Sequence, residues 1–249
     1  MSTQYDAIGQ KYKSMSDLPS QAPEKPSVLN VLGDVEGLNC LDLACGLGRW
    51  SHTLLEQGAA HVTGIDISAG MIDSARASLR DLPESQRAKV DFQVGDCGKP
   101  FAAPHGPFDV TLGVWFLNYA SNYEEMASMW QNIAANLKPG GRFVALTSNP
   151  FVGLEAPFDD RYGIDLTTLG RTEEGGWKCR VTGYTQPEPV EFENYHQPEE
   201  VYERAAAEAG MQNLTWRSHV LPNDGRPEGY WDVYNLRPHY SLLTAVKPE

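Results

Sequence analysis

Apolar residues recur along the first 147 positions in two alternating rhythms. Short, nearly continuous runs appear at LNCLDLA (38–44), HVTGID (61–66), KVDFQV (89–94), FDVTLGV (108–114) and RFVALTS (142–148). They lack the strict alternation of a half-solvated strand and predict parallel strands covered on both faces. Between them the apolar positions move to helical spacing. Residues 49–57 turn Trp50, Leu54 and Leu55 to one side and stop at Gly58. Residues 69–80 follow Ser68, a favourable N-cap, and align Met71, Ile72, Ala75 and Leu79. Over 123–137, Met126, Met129, Trp130, Ile133, Ala134 and Leu137 form an unbroken stripe that ends at Lys138-Pro139-Gly140-Gly141. That stripe reads as core packing. Repeated strand–helix–strand units imply an α/β fold, a parallel sheet with right-handed crossovers and helices on both faces.

The flanks follow other rules. Residues 2–16 place Tyr5, Ile8, Tyr12 and Met15 on one helical face, and a Pro-rich linker with Pro19, Pro23 and Pro26 comes next. Residues 150–198 are rich in Gly, Pro and charge, with short strands expected at 178–185 and 188–194. They read as an inserted lid. A helix at 199–209 and two late strands, 213–220 and 240–247, close the chain. A turn-rich segment, PNDGRPEGYWDVYNLRP, joins those strands. This organisation is one domain over 1–249, with an N-terminal lid and linker (1–26) and an inserted segment over the acceptor pocket (150–198).

Composition narrows the partners. The chain has 249 residues, 41% hydrophobic, with 20 Lys+Arg against 33 Asp+Glu, for a formal charge of -13. Such a surface repels phosphate backbones and anionic lipid, so nucleic acid and membrane are poor partners and a small molecule is favoured. No run of about 18 apolar residues suggests a membrane span, and the first residues lack a secretory pattern. Cys40, Cys45, Cys97 and Cys179 are scattered, without zinc-site spacing. The expectation is a cytoplasmic monomer or homodimer that binds no metal.

Three strand ends carry candidate chemistry. Leu41-Asp42-Leu43-Ala44-Cys45-Gly46-Leu47-Gly48 is a strand, a glycine turn and a helix start, a frame that lets backbone approach a ligand. A dinucleotide fingerprint read from Gly46 would need glycine at position 51, where Ser51 stands. Asp42 suits a positively charged ligand better than a pyrophosphate. Asp66 closes the second strand, where a carboxylate can accept ribose hydroxyls. Asp96 closes the third, where it can accept from an adenine amino group. Each Asp alone also reads as a turn or cap residue. Three in succession at the carboxyl edge of an open α/β sheet point to a ligand.

These residues resemble the class I S-adenosylmethionine-dependent methyltransferases. The resemblance rests on DLACGLG (42–48), GIDIS (64–68), GDC (95–97), FDVTLGVWFLNY (108–119), LKPGGRF (137–143) and the opening Y-D-A-I-G-x-x-Y (5–12). Within them it is similar to toxoflavin-synthase-like and other natural-product methyltransferases of secondary metabolism. It implies a Rossmann-like seven-stranded sheet, mostly parallel, with an antiparallel terminal hairpin. The implied cofactor is S-adenosyl-L-methionine. Asp42, Ala44, Gly46 and Gly48 would line its methionine half, Asp66 its ribose, Ile67 and Met71 its adenine faces, and Asp96 and Cys97 the adenine edge. Gly113 and Val114 would lie beneath the sulfonium, and Tyr12 would reach the cofactor carboxylate. Arg49, where the family commonly has a small or aromatic residue, could pair with that carboxylate or face solvent. Ser148-Asn149-Pro150-Phe151 is similar to the N-P-P-[FY] motif of amino-methylating enzymes but follows the fifth strand rather than the fourth.

The implied reaction is methyl transfer to N or O of a small molecule, by in-line displacement driven by proximity and desolvation. His196 is the first candidate base and Tyr119 the second catalytic candidate, with His52, His61, His105, His219 and His239 less well placed. Tyr5, Trp115, Tyr119, Asn149, Phe151 and Tyr195 are the candidate acceptor contacts, with Trp231 a further aromatic. The alternatives are a nicotinamide-dependent Rossmann oxidoreductase and a non-catalytic cofactor-binding regulatory subunit.

Overall fold

The five near-continuous apolar runs do become the core of one sheet in the structure, a computed structural model that describes residues 4–154 and 160–249. Among these residues the strands are β1 (Asn39–Leu43), β2 (His61–Asp66), β3 (Val90–Val94), β4 (Phe108–Val114) and β5 (Leu137–Ser148). They are followed by β6 (Ile164–Arg171), β7 (Trp177–Gly183), β8 (Val190–His196), β9 (Gln212–Arg217) and β10 (Tyr240–Val246). The main sheet has seven strands in the order β3-β2-β1-β4-β5-β10-β9. β1 to β5 run parallel, and β10 is antiparallel to both β5 and β9. β1 pairs β2 on one side and β4 on the other. The strand order therefore reverses at the β1–β4 junction, where open α/β sheets bind ligands beyond their carboxyl ends.

Helices cover both faces. α1 (Gln4–Ile8), α2 (Glu24–Leu32), α3 (Arg49–Glu56), α4 (Ala69–Ser78) and the single turn α5 (Glu84–Arg87) precede β4. α6 (Tyr123–Asn136), α7 (Glu199–Glu208) and α8 (Asp232–Leu236) come after it. One core gathers Val28 and Leu32 of α2, Leu54 of α3 and Ile72 of α4 with Tyr234 and Tyr240. The other gathers Met126, Trp130 and Ile133 of α6 with Tyr202 and Ala205 of α7. The α6 stripe is therefore core, as its spacing predicts. Caps fix the starts: Ser68 Oγ accepts from Met71 N, and Asn122 Oδ1 accepts from Glu125 N at 2.9 Å.

Four expectations need correction. The segment 2–16 is not one helix: α1 gives way to a 3-10 helix over Gly9–Asp17. Three residues per turn align Tyr12, Met15 and Leu18, and Met15 and Leu18 pack on Val190. The Pro-rich stretch is no linker. Ser20, Gln21 and Glu24 are buried, and α2 starts at Glu24 with Pro26 in its first turn, where a missing N–H costs nothing. The insertion is a three-stranded antiparallel sheet, β6-β7-β8, rather than a two-stranded hairpin. β5 also begins earlier, at Leu137, which pairs Phe108. No helix among the described residues is long and apolar enough to cross a membrane.

Candidate active site

Two residues at the sheet reversal have unusual backbones. Ala44, just past β1, has φ 56°, and Trp115, just past β4, has φ 57°. Left-handed geometry costs a non-glycine residue about 1–3 kcal/mol and gathers at ligand sites. In the turn after Ala44, Gly46 has φ +53° and a Cβ there would meet nothing within 4 Å. That backbone is open to a ligand. Gly48 is different: at φ +84° its Cβ would strike the Phe92 ring at 2.7 Å. Gly48 is required by packing beneath the turn rather than by ligand approach.

The carboxylates predicted at the strand ends converge on this turn. Asp42 is 1% exposed and accepts from Ser51 Oγ at 2.6 Å. Burial raises its pKa to about 7, aided by the Asp66 charge and opposed by the Ser51 hydrogen bonds. Ser51, occupying the place a dinucleotide fingerprint reserves for glycine, is thus a buried partner of Asp42. Asp66 accepts from Gly46 N through Oδ2 and from Ser68 N through Oδ1, both at 2.9 Å. It ties the β1 turn to the β2 turn. Two buried carboxylates beside an open backbone turn form a donor set suited to a cationic cofactor. Met71 is buried at the start of α4 and Ile67 is half-buried beside it. Gly113 and Val114 end β4, Val114 within the core.

The third strand end departs from expectation. Asp96 accepts from Gly98 N at 3.0 Å and pairs with Lys99 at 2.9 Å, as a turn residue does. Cys97 turns its thiol inward to the Ile65 carbonyl, and its own carbonyl accepts from Asn132. Its side chain therefore belongs to the core rather than to an exposed edge.

Over the turn lies a buried hub absent from the sequence reading. Glu24, 1% exposed, accepts from Trp115 Nε1 at 2.7 Å and from Arg49 Nη1 at 3.1 Å. Burial raises its pKa, against the opposing pull of Arg49, Trp115 and Gln21. Arg49 therefore faces neither solvent alone nor a free anion site: it is paired. Tyr12, also in the field of Glu24, Arg49 and Asp66, stands between this hub and the N-terminal lid.

Beyond Trp115 is a cavity of about 20 Å³, room for about one water while the lid residues fill it, so an acceptor would enter only with the lid displaced. Tyr12, Met15 and Gln21 line it from the lid, and Trp115, Asn118 and Tyr119 from the loop after β4. Ile164, Leu166 and Val181 come from β6 and β7; Phe192, Asn194 and His196 come from β8; His239 precedes β10. The lid closes it through rings: Tyr5 packs edge-on to Tyr12, and its hydroxyl bonds the Tyr119 hydroxyl. Trp115 stacks on His239 at 13°. His196 is buried, and burial lowers its pKa to about 4. His239 falls to about 3 through burial and the charges of His196 and His219. Both rings are neutral at pH 7. Burial also raises the Tyr119 phenol, which stays protonated.

His196, Tyr119 and Trp115 thus share one cavity, with Tyr5 against it. Three other acceptor candidates do not. Asn149 spends its amide on Pro238 O and Phe151 N, pinning the turn after β5. Phe151 is 54% exposed and packs on Trp216. Tyr195 lies between Asn194 and His196, so strand alternation sends it to the opposite face of β8. Trp231 does not line the cavity; it stacks on Tyr162 in an aromatic cluster that reaches the cavity wall through Tyr234 and His239. His239, set aside in the sequence reading, lines the cavity, as do Asn118 and Asn194. The alternation that removes Tyr195 is the signal that points to Phe192 and Asn194.

Among the described residues, His61, Asp91 and His105 form the one grouping with metal-ligand character, His61 and His105 each 3.1 Å from Asp91 Oδ2. It sits at the start of β2, about 17 Å along the strand from Asp66. It takes no part in this site.

Comparison with known proteins agrees with the geometry. Residues 40–141 match the family model described as a methyltransferase domain. The chain is 31% identical over 153 residues to a demethylmenaquinone methyltransferase of Lactococcus lactis, spanning 59% of this chain and 58% of that protein. It is 28% identical over 229 residues to a demethylmenaquinone methyltransferase of Leptospira interrogans, spanning 88% and 87%. An S-adenosylmethionine-dependent methyltransferase from Listeria monocytogenes shares its fold, with TM-score 0.65, 21% identity, and 94% and 100% coverage.

Proposed function

We propose that this chain, whose residues 40–141 match a methyltransferase domain, is a class I S-adenosylmethionine-dependent methyltransferase that methylates N or O of a small molecule bound at the Trp115–His196 cavity. The observation that carries this reading is the cavity's position. It abuts the sheet reversal through Trp115, and a lid that also packs on α4 closes it. Relatives named for demethylmenaquinone also act on a small molecule.

S-adenosylmethionine supplies an electrophilic methyl group on a cationic sulfur. In this reading Gly46 and Ala44 offer backbone to it, Asp42 and Asp66 complement its charge, and Ile67 and Met71 flank its base. When bound, the cofactor would give that methyl to an acceptor lone pair, with the carbon–sulfur electron pair remaining on sulfur. The acceptor's proton leaves to solvent as the product departs; until then neutral His196 only accepts a hydrogen bond from the X–H. A base with pKa about 4 is too weak to strip a phenol unaided. His196 therefore orients the acceptor X–H, and the lid's exclusion of water together with alignment supplies most of the acceleration.

Incubation with methyl-labelled cofactor and a panel of phenols, amines and azaheterocycles tests this. The expected outcome is labelled product from at least one neutral acceptor. Tight S-adenosylhomocysteine binding with no transfer to any class would favour the regulatory-subunit alternative.

A further inference from the structure

The acceptor cavity differs from an ordinary core in what its polar atoms lack. Asn118 is fully buried, yet neither its Oδ1 nor its Nδ2 has a partner. Asn194, 2% exposed, has an unpartnered Oδ1, and His196, 6% exposed, has two unpartnered ring nitrogens. All three line the same cavity. Each orphaned buried group costs about 1–3 kcal/mol, so native proteins seldom cluster them without a use. Because buried His196 is neutral, it offers one N–H and one lone pair. Together the three side chains present both donors and acceptors.

The rest of the lining sets the remaining properties. No lining side chain is charged at neutral pH, since His196 and His239 are both neutral. No lining side chain would offer an anion a counter-charge, and the lining Tyr12 lies in the field of Glu24 and Asp66. A protonated amine has no lone pair with which to attack. Trp115, Tyr119 and Phe192 supply flat apolar surface, and Leu166 and Val181 a smooth aliphatic one.

We propose that the acceptor is a neutral, flat ring compound whose edge carries both a hydrogen-bond donor and a hydrogen-bond acceptor, read by Asn118, Asn194 and His196. This rests on the methyl-transfer reading above and specifies its substrate class. The donor on that edge is the N–H or O–H that is methylated or its direct neighbour, and methylation removes or blocks it. The product then leaves at least one of the three side chains unpartnered again, which favours release.

The test uses the full chain loaded with S-adenosylhomocysteine. Calorimetry measures binding of quinolin-2-ol, quinolin-4-ol and 2-naphthol, each against its ring carboxylate. At least one neutral ring is expected to bind at least tenfold tighter than its carboxylate. Asn118→Leu is expected to weaken that ring at least tenfold and leave S-adenosylhomocysteine affinity unchanged, which also shows that the variant folds. Asn194→Leu should act in the same direction. Binding by a carboxylate as tight as by any ring, binding by none of the rings, or an unchanged affinity in both variants would overturn the proposal. Failure of the wild-type chain to bind S-adenosylhomocysteine is a separate result, and would overturn the methyl-transfer reading on which the proposal rests.

Discussion

The two halves of the site treat their buried polar groups in opposite ways. On the β1–β3 edge every carboxylate is engaged by the protein itself: Asp42 by Ser51, Asp66 by Gly46 and Ser68, Asp96 by Gly98 and Lys99. Beyond Trp115, the amide of Asn118 and the ring of His196 are buried with no partner. The first half is built whole and holds its shape without a ligand. The second is incomplete in the folded chain, and its missing hydrogen bonds describe what should fill it. Preorganisation there is confined to the walls, through the Glu24–Trp115 bond and the Trp115–His239 stack.

Asp66→Ala breaks this contrast most severely. It removes the carboxylate that joins two strand-end turns and the one proposed to hold the ribose. The expected loss of S-adenosylhomocysteine affinity is at least ~100-fold, or about 2.7 kcal/mol. Calorimetry reads it, and an unchanged affinity in a folded variant would remove Asp66 from the cofactor site.

Asp42→Asn separates stability from binding. An acid whose folded pKa lies near 7, above its unfolded value, costs the folded state stability as pH rises between those values. At pH 8 the ionised group should cost of order 2–4 kcal/mol. The variant is therefore expected to be more stable than wild type at pH 8 in urea melts, with the gain shrinking toward pH 5. Its affinity for the cationic cofactor should fall about tenfold or more. A less stable variant at pH 8 would show that the Ser51 contact outweighs desolvation.

His196→Asn sharpens the comparison on the other side. The folded pKa near 4 lies below the unfolded value, so the unfolded chain binds the extra proton between about pH 6.5 and 4. Wild type accordingly loses stability as pH falls through that window, by up to about 1.4 kcal/mol per pH unit from this group. The variant lacks that loss, so its stability relative to wild type should rise toward pH 4.5. A pH-independent difference would mean His196 is solvated. His239 titrates in the same direction and Asp42 and Glu24 in the opposite one, so the paired variant isolates the single group.

The same contrast explains what the sequence revealed. The proposed cofactor half is local: Asp42, Gly46 and Asp66 lie on strand–turn–helix units whose spacing is visible in one window. The acceptor half draws on the lid, the β4 loop, all three strands of the small sheet and the residue before β10, and no window spans those. His196 was legible as a histidine near the returning chain. Asn118 sits in the run Phe116-Leu117-Asn118-Tyr119, where the aromatic neighbours carry the stronger signal. Asn194 and Phe192 were hidden by placing the strand end two residues early, which obscured their alternation with His196. Glu24 was lost because three prolines read as a linker. Phe151 and Asn149 show the converse: motif-like texture fixed a turn and packed a ring against Trp216, outside the cavity.

The stability of Asn118→Leu tests most directly whether the acceptor half is reserved for a ligand. Asn118 is fully buried with both amide atoms unpartnered, and leucine keeps its branched skeleton of four heavy atoms while carrying no polar group. If the amide serves a substrate, the ligand-free variant should be more stable than wild type by about 1 kcal/mol in urea melts, while methyl transfer is lost. If the amide serves the fold, the variant will be less stable, and the claim that this cavity carries unpartnered polar groups for an acceptor will be contradicted.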